Sequence, residues 1–150
     1  VDHIRPLKKL MQIQSEHDCS TLVVLPDQLS FLSAGGSYIT QYCINTGAIL
    51  RKYNFPNTII YHTVLSADGE SVFIACDHSC MRVSLATGRP IMTYYRLPSA
   101  FYRCLLMPNG NTLITTHSKL LNFFRVDTGE WFRTENRWTT FHAVVYNTVT

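Results

Sequence analysis

A Thr-Gly pair returns along this chain at one fixed interval, and that interval limits what the chain can fold into. Thr46-Gly47, Thr87-Gly88 and Thr128-Gly129 stand 41 residues apart each time. A second turn marker, Asp27-Gln28, Asp68-Gly69 and Asn109-Gly110, keeps the same step of 41. Two kinds of turn signal locked to one register across three copies, with no insertion, mean one supersecondary unit used repeatedly.

The second copy shows what the unit is. It carries four short runs of β-favouring residues, Tyr61 to Ser66, Ser71 to Cys76, Cys80 to Leu85 and Pro90 to Tyr95, each bounded by a turn. Asp68-Gly69 suits a tight reversal because glycine accepts positive φ, and Ala86-Thr87-Gly88 offers another. The third copy repeats this as Tyr102 to Met107, Thr112 to His117, Leu120 to Val126 and Trp131 to Glu135. The first does so as Ser20 to Leu25, Ser30 to Gly35, Tyr38 to Ile44 and Ile49 to Tyr53. Matched positions agree in kind, as in Leu32, Phe73 and Ile114, or Ile44, Leu85 and Val126. The expected fold is all-β, made of four-stranded antiparallel meanders at 20–58, 59–99 and 100–140.

The ends keep the register. Leu7 to Gln14 falls where the fourth strand of an earlier unit belongs, and Phe141 to Val149 where the first strand of a later one does. Residues 1–19 are thus expected to end a preceding unit and 141–150 to start a further one. A short helix over Arg5 to Gln14 is the weaker alternative.

A unit of about 40 residues with an Asp-Gly-type first turn and a Thr-Gly third turn resembles the WD40 β-propeller repeat. Leu65 to Gly69 and Leu106 to Gly110 look like that family's first hairpin, and Val83 to Gly88 like the end of its third strand. The family's Trp-Asp is replaced by Tyr42-Cys43, Val83-Ser84 and Phe124-Arg125, and no Gly-His opens any copy. The family's polar network therefore does not carry over, and the resemblance implies a propeller of degenerate blades. Three full units and two fragments fall short of the roughly four to eight blades of closed propellers. The expectation is a longer chain, or a homo-oligomer, that completes the ring.

With 46% hydrophobic and 15% charged residues in 150, the composition is globular and argues against disorder. No window approaches the roughly 18 apolar residues of a membrane span. The start, Val1 to Leu10, lacks the layout of a signal peptide. Cys19, Cys43, Cys76, Cys80 and Cys104 are odd in number and scattered, as expected of reduced thiols, and there is no Asn-x-Ser/Thr sequon. These features predict an intracellular protein with no membrane partner, nuclear or cytoplasmic.

Cys76-Asp77-His78-Ser79-Cys80 is the one local cluster of metal-ligand types, with ligands at alternate positions that share one side of an extended chain. It spans a hairpin turn and lacks a fourth ligand, so no metal and no cofactor is expected. No Gly-x-Ser-x-Gly, Gly-x-x-x-x-Gly-Lys or Gly-x-Gly-x-x-Gly occurs, and catalysis is not expected.

Charge is more pointed. No acidic residue lies between His78 and Val126, while Arg82, Arg89, Arg96, Arg103, Lys119 and Arg125 all do. Such a span favours RNA or another acidic partner, although in a propeller its cations spread over both faces. Tyr94, Tyr95, Trp131 and Trp138 fall on or beside fourth strands, at the rim of a blade, and suit a protein interface where they are not inter-blade core.

The function expected first is a non-catalytic propeller scaffold for protein partners in a multi-subunit complex. A finer resemblance points to ribosome biogenesis. Thr112 to Thr134 looks like an early blade of the transducin-β-like propellers of the small-subunit processome, with Ser118-Lys119-Leu120-Leu121 in place of an Asp-Gly turn. An enzymatic propeller of the lactonase or quinoprotein type is a third reading, which would need axial ligands that do not repeat here.

Overall fold

A computed structural model describes residues 10–95 and 101–136. It contains twelve strands: β1 (Thr21–Val24), β2 (Ser30–Gly35), β3 (Tyr38–Cys43), β4 (Ile49–Asn54), β5 (Ile60–Leu65), β6 (Ser71–Cys76), β7 (Cys80–Ser84), β8 (Pro90–Tyr94), β9 (Arg103–Leu106), β10 (Thr112–His117), β11 (Leu120–Arg125) and β12 (Trp131–Glu135). They form three four-stranded antiparallel sheets, each in simple sequence order. These are three blades. β2, β6, β10 and β12 keep the bounds expected from sequence, β3, β4, β7, β8 and β11 differ by a single residue at one end, and β1, β5 and β9 by a single residue at both.

The repeated turns explain the repeated residues. Asp27, Asp68 and Asn109 each accept, through Oδ1, the amide two residues on at 2.9 Å. An Asx turn of this kind replaces backbone pairing at a reversal. Thr46, Thr87 and Thr128 play the matching part at the third turn, each Oγ1 accepting the amide two residues on at 3.2 Å. The glycine that follows sits at φ of 74°, 72° or 75° and closes the turn by donating its amide back to Cys43, Ser84 or Arg125. A side chain there would be strained, which is why Thr-Gly marks each copy.

Blades stack face to face. In the first seam Leu32, Ala34, Ile39 and Tyr53 of blade 1 meet Val72, Ile74 and Val83 of blade 2. In the second, Phe73, Ala75, Cys80 and Tyr94 of blade 2 meet Cys104, Leu113, Phe124 and Val126 of blade 3. Blade 2 is covered on both faces, so all six residues of β6 are buried and the usual in-out alternation disappears. β1, β5 and β9 lie side by side as inner strands, with the Thr21 and Thr63 hydroxyls 3.3 Å apart between β1 and β5.

A clasp repeats at the outer end of each seam. Tyr53 donates its hydroxyl to the Leu85 carbonyl at 2.7 Å, and Tyr94 donates to Val126 at 2.6 Å, each reaching 32 residues ahead into the next blade. Val126 is buried as the register requires, whereas Leu85 is only half-buried.

One expectation is corrected. Leu10 to Gln14 forms neither strand nor helix, and residues 7–9 lie outside the described residues. The segment still runs where a neighbouring outer strand would pack: Met11 and Ile13 lie against Gly47 much as Tyr53 lies against Gly88. His17 stacks on Tyr38 with centroids 4.0 Å apart, and Glu16 pairs with Lys52. It lacks a ladder because a fourth strand pairs with the third strand of its own blade, and none stands beside it among the described residues. The strand expected over Phe141 to Val149 lies outside the described residues.

Candidate partner-binding surface

Because each blade is a meander, its four strand ends define two rims. The first and third turns fall on one, the Asx-turn rim. The second turns and the links between blades fall on the other, the link rim. This topology decides where the candidate cations go.

Arg89 and Arg125 are exposed on the Asx-turn rim, while Arg103 and Lys119 are exposed on the link rim. Arg82 starts mid-strand in β7 and reaches the Asp68 turn of the Asx-turn rim. Its Nε donates to Ser71 Oγ at 2.8 Å, its guanidinium lies 3.7 Å from Asp68 and 5.6 Å from the centre of the Phe73 ring. Arg125 pairs with Glu130 at 3.3 Å and covers the Phe132 ring at 4.6 Å. Arg96 lies outside the described residues. The span of cations is thus split between rims and is no single patch among the described residues.

The aromatic candidates divide as well. Tyr94 is fully buried, so its expected place in a surface interface is corrected: it opposes Cys80 in the ladder and faces blade 3, where its ring packs edge-on to Phe124 at 5.7 Å. Tyr95, the next residue along, is 66% exposed. Trp131 is 40% exposed, and its indole donates to Thr134 at 2.8 Å. Trp138 lies outside the described residues. What sequence reasoning missed is an inner-strand group on the link rim, where Tyr102 meets Tyr61 at 5.1 Å and His117 at 6.3 Å beside Arg103.

Between blades 2 and 3 the Asx-turn rim opens into a cleft of about 280 Å³, walled by Ser66, Asp68, Arg82, Asn109, Asn111 and Asp127 over Phe73, Leu106 and Val126. Its cause lies in one residue. Pro26 fills the matching space of the first seam, packing on Gly69, whereas its counterpart 41 residues on is Ala67. Within the cleft the Ser66 hydroxyl and the Glu70 amide hold the Asp68 carboxyl below its usual range.

The Cys76 to Cys80 segment does not converge on one point. Cys76 joins the core of the first seam and Cys80 that of the second, while His78 is exposed and stands 3.4 Å from Asp77. Among the described residues no group of His, Cys, Asp and Glu is arranged to hold a metal ion. A different cluster forms instead. Cys104, buried at 3% exposure, places its Sγ 3.7 Å from His62 Nδ1, and its amide donates to the same nitrogen at 3.3 Å. The neighbouring Cys80, and then His62, bring the Cys104 thiol down to about 6, whereas burial pushes Cys80 well up and Cys76 up to about 12. The signal for this pairing was present in sequence: inner-strand partners in adjacent blades are 42 residues apart, as Thr21 and Thr63 are. No helix among the described residues is long and apolar enough to cross a membrane.

Blade 1 presents one more surface. Leu22 and Val24, on the side of β1 away from blade 2, are 64% and 59% exposed. Their counterparts in blade 2, Thr63 and Leu65, are covered by blade 1. Residues around Ile13, Ser15 and Cys19 cover part of this face and leave an apolar cleft of about 220 Å³ with Leu22, Phe31 and Tyr42.

No protein-family model and no curated protein matches the sequence. Solved structures do match. A structure of U3-55K superposes with a TM-score of 0.69 at 17% identity, covering 81% of this chain and 40% of that one. A crystal structure of RRP9 WD40 repeats gives a TM-score of 0.69 at 16% identity, covering 81% of this chain and 39% of that one. The chain therefore spans about two fifths of the length of these structures. At such identities the likeness establishes the fold, and the chain has that of WD40-type propeller blades.

Proposed function

We propose that this chain is a non-catalytic propeller scaffold that works inside a larger assembly of proteins. The observation that carries this reading is the far face of blade 1. It is built like an inter-blade face, with the apolar side chains of Leu22 and Val24 in the positions that blade 1 covers on blade 2, yet no blade covers it among the described residues. Exposed apolar sheet of this kind is stable in water when another protein surface or a further blade packs on it. The candidate Arg82 is engaged in holding a turn together, as the non-candidate Arg51 and Tyr53 are in holding a seam.

The test is isolation of the native protein with its partners, followed by chemical crosslinking and substitution. Leu22→Asp together with Val24→Asp should leave the strands intact by circular dichroism and release a stoichiometric partner or disrupt ring closure. Retention of every partner by the folded variant, or turnover of a substrate that one substitution abolishes, would overturn the scaffold.

Within that reading, a ribosome-biogenesis role follows from the segment Thr112 to Thr134, which forms β10, β11 and most of β12. The U3-55K likeness is in keeping with it, and the exposed Arg103 and Lys119 on the link rim suit an RNA or acidic neighbour. Such a role implies a nuclear protein. Recovery of pre-rRNA with the purified assembly is the expected result, and recovery of a complete assembly lacking pre-rRNA and its processing factors rules it out.

A further inference from the structure

The second seam holds two thiols and an imidazole that no part of the scaffold reading uses. His62, Ala75 and Cys80 lie in one row across blade 2, because Ala75 pairs with His62 on one side and with Cys80 on the other. Cys104 and Thr115 form the facing row in blade 3. Both Cys80 and Cys104 belong to the same buried cluster, at 0% and 3% exposure, and each acts on the other: Cys80 is the first influence on the Cys104 thiol, and Cys104 comes next after burial for Cys80. Cys76 packs into the other seam, Cys19 is exposed at the edge of blade 1, and Cys43 ends β3. Across from Cys104, the buried Thr115 hydroxyl has no hydrogen-bond partner.

We propose that Cys104 and Cys80 are an oxidisable dithiol which a peroxide converts into a disulfide joining blades 2 and 3. The thiolate of Cys104 is the attacking group, favoured by the adjoining His62 ring at 3.7 Å. It attacks one peroxide oxygen: an S–O bond forms, the O–O bond breaks, and hydroxide leaves and takes the proton that the Cys104 thiol gave up, becoming water. The product is a sulfenic acid, whose oxygen can accept a hydrogen bond from the unpartnered Thr115 hydroxyl. The Cys80 sulfur then attacks the Cys104 sulfur. The S–S bond forms, the S–O bond breaks, and the departing hydroxide takes the Cys80 proton as a second water. In balance, two thiols and one hydrogen peroxide give one disulfide and two waters. The two sulfurs together are oxidised by two electrons, and the peroxide is reduced by two. Cys80 is suited to the resolving step by position, since it stands on the blade that faces Cys104.

Hydrogen peroxide added to the reduced, folded chain provides the test. Thiol titration in denaturant should fall from five to three per chain, and peptide mapping without reductant should join the peptides that contain Cys80 and Cys104. Cys76→Ser should still lose two thiols, while Cys80→Ser should stop at a Cys104 sulfenic acid that a dimedone-type reagent captures. A folded His62→Gln should form the link more slowly near neutral pH and recover as pH rises. Five free thiols after treatment, a link that includes Cys76, Cys43 or Cys19, or over-oxidation of Cys104 with Cys80 still free would each overturn the proposal.

Discussion

At Gly88 a single added atom would be costly on two counts. Its φ is +72°, and an added Cβ would lie 2.7 Å from Tyr53 Cδ1, the ring that also clasps the seam. Gly88→Ala therefore combines backbone strain with a displaced tyrosine and should cost about 1–3 kcal/mol, read as a fall in the urea midpoint. Thr87→Ala next to it removes one turn hydrogen bond on an exposed residue and should cost about 1 kcal/mol or less. Equal costs would contradict the turn geometry. Tyr94 provides a pH test. Burial raises its phenol to about 12, against about 10 in an unfolded chain. Below about pH 10 both states keep the proton and the contribution is whole. As pH climbs from about 10 to about 12, only the unfolded chain releases the proton, so stability falls across that window. Tyr94→Phe should be less stable at neutral pH, because the buried Val126 carbonyl loses its donor, and should show a shallower alkaline fall. Urea midpoints of both proteins between about pH 9 and about pH 12 decide it, and parallel curves would exclude Tyr94 as the titrating group.

Strand order and strand bounds were readable because the turn residues announce themselves: an Asp or Asn that must cap its own turn, and a glycine that must adopt positive φ. What an individual strand buries was less readable. A meander strand alternates in and out only if one of its faces meets water, and blade 2 has no such face, so β6 reads as a continuous apolar run. Tyr94 was misplaced for the same reason, since a fourth strand looks like an outer edge until the next blade covers one side of it. The cation span divides between the rims, as a propeller implies, because consecutive turns alternate between them. Leu10 to Gln14 kept its neighbours without its strand, as packing follows the register while a ladder needs a partner. These differences give unequal costs for equal chemistry. Phe73→Ala in β6 opens a core site at 0% exposure and should cost about 3–5 kcal/mol. Phe132→Ala in β12, 40% exposed beneath Arg125, should cost about 1 kcal/mol or less. Denaturant unfolding of the two variants would show a ratio near one only if β12 were a core strand.

Among the described residues the blades meet at their seams, and the two seams are held differently. Both have the tyrosine clasp, but the first adds Arg51, whose guanidinium donates to the Leu85 and Ala86 carbonyls at 2.7 Å each. The second has Met92 in the place of Arg51, packed against Gly129, and it carries the open cleft that Ala67 leaves. In a stack where each unit touches its neighbours alone, stability is close to a sum of unit terms and seam terms. Loss at one seam is then felt most by the blade that depends on it. Phe124 is fully buried in the second seam and contacts blade 2 through Tyr94. Phe124→Ala should therefore strip amide hydrogen-exchange protection from β9 to β12 while β1 to β4 keep most of theirs, with β5 to β8 between. Leu32→Ala, buried in the first seam, should show the reverse gradient. A uniform fall in protection across all twelve strands in both variants would mean that the three blades unfold as one unit, and the seams would then be interior core in place of joints between repeats.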